Sequence, residues 1–170
     1  MKLGDGVEQA IHCVLMLAGL APDAVLSATA LAEFHGVSPS YLLKHLQALA
    51  GSGLLQSLPG PRGGYRLGRP AERITLLDIV LAVEGGEPAF RCTEIRQRGP
   101  SPLPAACFRK PCAINAAMLR AEKAYREELR RVTVADLSRP SDPALGRAIA
   151  ARVGGFLTVH ARRQATKESI

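Results

Sequence analysis

Residues 27–70 leave this chain few folds to choose from. Ser27 opens a helical stretch, SATALAEFHG, and Gly36-Val37 then makes a tight turn. Ser38 and Pro39 start a second helix, SPSYLLKHLQAL. Ser38 reads as its N-cap, and Pro39 falls at the first helical position, where a missing N–H costs nothing. Gly51 and Gly53 close it. A short apolar strand over 54–58 (LLQSL), a Pro/Gly tip (PGPRGG) and a returning strand, Tyr65-Arg66-Leu67, follow. Helix, turn, helix and β-ribbon in this order predict a winged helix-turn-helix, whose second helix lies in the major groove of double-stranded DNA.

The rest of the chain is organised around that head. A first helix is expected over 6–20, with Asp5 as N-cap and Pro22-Asp23 as its end. Its segment AIHCVLMLAGLA is apolar enough for a signal-peptide core, but Asp5 and Glu8 outnumber Lys2 ahead of it, and it is too short to span a membrane. A buried helix of a cytoplasmic protein, with no membrane partner, is the expectation. A fourth helix over 74–85 has Thr75 as cap, Asp78 three residues on and Gly85-Gly86 as stop. Residues 87–111 carry no period, and Gly99, Pro100, Pro102 and Pro104 make their middle a loop.

A long helix is expected from about Pro111 to residue 137. Ile114, Met118, Ala121, Tyr125, Leu129 and Val132 recur along it at steps of three and four, against a charged face with Arg120, Lys123, Arg126, Glu127 and Arg130. Such a helix, lying beyond the head's own core, packs most simply against its copy in a homodimer, which would present two heads to two half-sites. Residues 138–143 read as a linker, 144–160 as a further helix and 162–170 as frayed. The expected architecture is therefore mainly α with a small β-wing. A head covers 1–86, an irregular loop 87–112, a dimerisation helix 113–137 and a tail 138–170.

Composition agrees with this reading. The 47 % hydrophobic content excludes a disordered tail, and the formal charge of +7 favours a polyanionic partner. With no Trp and few aromatics, stacking on single-stranded bases has no support. The start of a recognition helix faces base edges, which makes Ser38, Ser40, Tyr41 and Lys44 the natural contacts. Hydroxyls bond phosphate or base, and Lys44 reaches phosphate or guanine. Ser38 can equally be only a cap and Tyr41 only a packing residue. At the tip, Arg62 between Gly60-Pro61 and Gly63-Gly64 is slim enough to enter the minor groove. The GPRGG run is no phosphate-cradling loop, since it lacks the Gly-Lys-Ser/Thr ending and precedes a strand.

In a reducing compartment four cysteines point to metal binding or redox chemistry ahead of disulfides. Cys107 and Cys112 have four residues between them, near a helix start and beside Arg109 and Lys110, a setting that favours thiolate. Cys92 lies further back, across the proline-rich loop. Three thiolates are one short of a tetrahedral site. Cys13, in the most apolar part of the first helix, reads as a buried thiol. Glu8 and His12 stand four apart on one face of that helix. Glu8 also stands three after Asp5, where a capping-box acid sits, and His12 also reads as an ordinary hydrogen-bonded histidine. No Cys/His motif of a hydrolase is visible, so an enzyme is not expected.

VSPSYLLKHLQAL (37–49), GGYRLGRP (63–70) and ITLLDIVLAVEG (74–85), followed by three cysteines ahead of a long helix, resemble the Rrf2 family of bacterial winged-helix regulators. The resemblance covers about residues 1–135 and is closest to its iron–sulfur sensors of the IscR/NsrR type. It implies a dimeric DNA-binding regulator carrying a 2Fe–2S or 4Fe–4S cluster on those cysteines. The fourth ligand in such proteins can be an acid from the partner's first helix, which corresponds here to Glu8. The long gap after Cys92 departs from the family's even spacing. The favoured set is therefore Cys107 and Cys112 of one subunit with Glu8 and His12 of the other, and the next is Cys92, Cys107, Cys112 and Glu8. Two-and-two ligation suits a 2Fe–2S cluster. Without a cluster, the same cysteines would serve as a thiol switch or a zinc site.

Overall fold

The structure, a computed structural model, describes residues 3–101, 104–110 and 112–163. Lys2, Pro102, Pro111 and residues 164–170, each part of an expectation above, lie outside the described residues. Helix α1 (Asp5–Ala18) buries Val7, Ala10, Cys13, Val14, Met16 and Leu17 along one stripe. Its N-cap is Gly4, not Asp5. Asp5 and Glu8 sit in the first turn instead, where negative charge complements the helix dipole. Gly4 donates its N–H to Glu84 Oε1 at 3.0 Å.

The helix-turn-helix forms as its local signals require. In α2 (Ala28–His35) the Ser27 hydroxyl accepts from Ala30 N–H. Gly36 then adopts φ 65°, and the Val37 N–H returns to the Ala32 carbonyl, a left-handed stop that glycine makes without a Cβ penalty. Helix α3 (Pro39–Gly51) follows, burying Leu42, His45, Leu46 and Leu49. Strands β2 (Leu55–Leu58) and β3 (Gly64–Leu67) form the wing, antiparallel with Ser57 opposite Tyr65. A short strand β1 (Ala24–Val25) joins it through the Leu26–Tyr65 bridge, in which each N–H donates to the other's carbonyl.

Helix α4 (Leu76–Glu84) has the expected reciprocal cap between Thr75 and Asp78. After the loop comes α5 (Ala113–Arg131), which buries none of its residues in this chain. It stops six residues short of the expected end. Val132 turns extended, and Thr133 bridges to Thr75 while the Val132 carbonyl accepts from Leu76 N–H. Thr133 then starts a second capping box with Asp136 and opens the short helix α6 (Val134–Leu137). Helical periodicity carries through a break of this kind, because the apolar spacing runs on into the buried Val134.

Helix α7 (Pro143–His160) begins at an Asp142 cap and lays Phe156 and Leu157 against the core. Beyond it, Arg162–Arg163 are not frayed but form β4, antiparallel to β1. Among the described residues no helix is long and apolar enough to cross a membrane.

Helix α1 meets α3 at Gly6. A Cβ built on Gly6 would stand 2.4 Å from Cε1 of the buried His45. Gly6→Ala therefore requires the His45 ring or the helices to shift, and should cost about 1–3 kcal/mol as overpacking does. A urea midpoint equal to wild type would show that the contact yields.

Candidate DNA interface and metal centre

The recognition helix divides cleanly by face. While Leu42, Leu46 and Leu49 anchor it, Ser38, Ser40, Tyr41 and Lys44 are all exposed, so the structure places every sequence-predicted contact on this helix at the surface. Ser38 caps with its backbone alone, and its hydroxyl lies 3.1 Å from that of Ser40. The Tyr41 ring stands edge-on to His45, with centroids 4.7 Å apart, which fixes its direction. Burial, and then the Lys44 charge, hold the His45 imidazole on the inner face of this helix below its ordinary pKa. Gln47, one turn beyond Leu43 and Lys44, is exposed on the same helix and was missed by the sequence reading. Its amide is the type that reads adenine bidentately.

At the wing, Arg62 sits exposed in the turn closed by the Gly63 N–H on the Gly60 carbonyl. Further along β3, Arg66 is tied down by Gln56 Oε1 at 2.9 Å and by the Pro22 carbonyl. The ribbon thus has a stiff base and a narrow tip.

The second site forms in the loop before α5. Cys92, Glu94 and Cys112 offer two sulfurs and a carboxylate oxygen that all lie within 4.8 Å of one another. Cys92 is exposed, whereas Cys112, the N-cap of α5, is nearly buried. Glu94 was not singled out from sequence. Among the described residues it is the only non-glycine with positive φ, at 49°, a conformation that costs on the order of 1 kcal/mol and recurs at functional sites.

Arg96 organises this loop. Its guanidinium pairs with both Glu94 oxygens and lies 5.1 Å from the centroid of the Phe108 ring, next to Cys107. The Arg96 hydrogen bond holds the Glu94 carboxyl below its ordinary range. Backbone N–H groups of Asn115 and then Ile114, with Arg96 behind them, hold the Cys112 thiol low, the direction expected at a helix N-terminus.

Cys107 lies exposed in the short turn Ala105–Phe108 and is not a member of the three-donor group. Glu8 and His12 lie elsewhere, on the exposed side of α1, where an open groove of about 370 Å³ runs beside them. Within one chain the structure does not bring them to the cysteines. Cys13 is fully buried, which pushes its thiol up to about 12 and leaves it inert. Two thiolates and a carboxylate at this separation fit a thiolate-bound iron or zinc ion, whose tetrahedral sulfurs stand roughly 4 Å apart. Glu94 would have to release Arg96 to join them.

An exposed recognition helix beside a β-wing defines a DNA-binding transcription regulator of the winged helix-turn-helix class. The chain belongs to the Rrf2 family, whose profile, described as an iron-dependent transcriptional regulator, matches residues 3–140. This is a family of regulators and not of enzymes. YffB of Lactococcus lactis, described as a candidate HTH-type transcriptional regulator, is 35% identical over 138 residues, spanning 81% of this chain and 87% of YffB. CymR of B. subtilis, described as its global cysteine regulator, aligns with a TM-score of 0.62 at 24% identity, covering 81% of this chain and 95% of CymR. IscR of T. potens aligns with a TM-score of 0.62 at 22% identity, covering 85% and 90%. At these identities the two structures establish the fold alone, mainly helical with a small wing and a long helix after it.

The electrostatics of the loop can be checked directly. Removing the Arg96 charge takes away one of the groups that lower the Cys112 thiol and leaves Glu94 opposing its ionisation. In Arg96→Ala the pH profile of iodoacetamide labelling at Cys112, read by peptide mass spectrometry, should move to higher pH. A profile that stays in place would remove Arg96 from the account of this thiol.

Proposed function

We propose that this regulator acts in the cytoplasm as a homodimer whose operator affinity is set by an iron–sulfur centre, most simply 2Fe–2S, held at the loop before α5. One observation carries the reading: Cys92 and Cys112, far apart in sequence, meet at the start of α5 with an acid between them. Their proximity favours the ligand set that includes Cys92. Cys107 supplies a third thiolate from the same loop, and Glu8 or His12 of the partner subunit completes the shell. When bound, a 2Fe–2S centre supplies one-electron chemistry, and imidazole ligation raises its potential.

The chain's own residues give that centre a lever. Glu8 and His12 lie on the exposed side of α1, and Gly6 on the same helix abuts His45 of the recognition helix. If Glu8 or His12 held such a centre, a change in that bond would bear on α1 and through Gly6 on α3. In a dimer this changes the spacing of the two recognition helices, a rigid-body switch between DNA-binding states. The dimer itself is favoured by α5, where Ile114, Met118 and Leu119 are exposed on a helix that buries nothing within its own chain.

A second reading, a thiol switch or zinc clip without a cluster, is favoured by the lowered Cys112 thiol beside Cys92. Anaerobic purification separates the two. The cluster reading expects a visible band that bleaches with dithionite while a paramagnetic signal appears, with colour lost in Cys112→Ser and in the Glu8→Ala/His12→Ala double variant. A colourless protein that cannot be reconstituted with iron and sulfide gives the cysteines to thiol or zinc chemistry. Independently, Met118→Glu should convert the dimer to monomer in sedimentation. A dimer that persists would place the interface elsewhere.

A further inference from the structure

Residues 141–163, outside the stretch that matches the family, do not hang from the head but are built into it. Helix α7 is clamped by an aromatic stack in which Phe156 meets Phe34 edge-on at 5.0 Å and His160 face-on at 3.9 Å. Arg152 lies over the Phe34 ring from the same helix. This clamp delivers β4 to the free edge of β1, with Arg163 opposite Ala24 and Arg162 opposite Val25. Because Leu26 bridges to Tyr65, the strand pairing runs on from β4 through β1 to the wing.

Two arginines arrive at the wing by this route. Arg162 donates from Nη1 to the Pro61 carbonyl at 2.7 Å, on the residue next to Arg62 at the tip. Arg163 is 82% exposed, and its acid neighbour among the described residues, Asp23, is 4.0 Å away, a distance at which an exposed pair contributes little. Their backbone is fixed by the ladder, while each guanidinium keeps N–H donors in a fork that matches phosphate.

We propose that β4 is a second arm of the DNA interface, in which Arg162 braces the wing tip and Arg162 and Arg163 contact the sugar–phosphate backbone beside the wing. The occupant is duplex DNA, on grounds of charge complementarity and of continuity with the wing, and the inference rests on the wing itself touching DNA. Such contacts are blind to sequence: they raise affinity for every duplex and steepen its salt dependence.

The test is a salt series of anisotropy titrations, using the full chain with a fluorescein-labelled random-sequence duplex pool and with a duplex selected from that pool. Arg163→Ala, which disturbs no packing, and Arg162→Ala/Arg163→Ala are compared with Arg62→Ala, all at unchanged melting temperature. Each arginine removed from β4 should flatten the slope of log K against log salt by about one and weaken both duplexes by the same factor. If the β4 variants match wild type while Arg62→Ala weakens binding, β4 is no part of the interface and the wing reading survives. If Arg62→Ala is also silent, the wing reading falls with it. Tighter binding by the β4 variants would overturn the proposal and make the arm an inhibitor of the head.

Discussion

The packing of α1 beneath the recognition helix is the contact on which the rest of this molecule depends. Its buried stripe supplies a large share of the head's core, and each such side chain contributes about 1.5–3 kcal/mol when removed from water. Gly6 lets the two helices approach until the His45 ring fills the gap, and His45 in turn sets the direction of Tyr41. A helix packed this closely transmits displacement, because interiors at near-crystalline density have little slack to absorb it. The exposed side of that helix carries Glu8 and His12. One element therefore serves as core and as support for the recognition helix, and it keeps an exposed side that carries Glu8 and His12.

The loop before α5 is arranged around charge more than around packing. Its donors converge only because Glu94 takes a left-handed backbone and Arg96 closes back on it, a conformation with an intrinsic cost that the ion pair and the Phe108 contact offset. Further support comes from α5. Arg126 donates to the Gly86 and Glu87 carbonyls, and Glu122 accepts the Ala89 N–H, which pins the start of the loop to the helix at its end. Arg96 accordingly sits where a cation is wanted, paired with the Glu94 carboxylate and near enough to Cys112 to help hold its thiol low.

Much of the head was legible in the sequence because these boundaries are written in local chemistry: the Ser27 hydroxyl, the Gly36 turn, Pro39 at the first helical position and the Thr75–Asp78 box, whereas the start of α1 fell at Gly4 and not at Asp5. The exposure of Ser38, Ser40, Tyr41 and Lys44 followed from helix phase alone. What escaped depended on tertiary context. The break after Arg131 is driven by pairing of Thr133 with Thr75, although Thr133–Asp136 repeats the capping spacing of Thr75–Asp78 and was the signal available. Glu94 lay in a stretch without period, and its nearness to Cys112 is a property of the folded loop. Strand β4 has only two residues and exists because β1 has an edge to offer. The spacing of Cys92 from the other cysteines gave no hint that the loop folds back to bring it to Cys112.

The account's central claim is that the state of the loop centre reaches the recognition helices through α1. The direct measurement is the affinity of a duplex, selected from a random pool by the iron-loaded protein, for the same preparation before and after the iron is stripped anaerobically. A two-state switch of ordinary strength, about 1–3 kcal/mol, predicts affinities that differ roughly five- to 150-fold. Coincident binding curves from loaded and stripped protein would contradict it, leaving a DNA-binding regulator whose cysteines do not govern its grip on DNA.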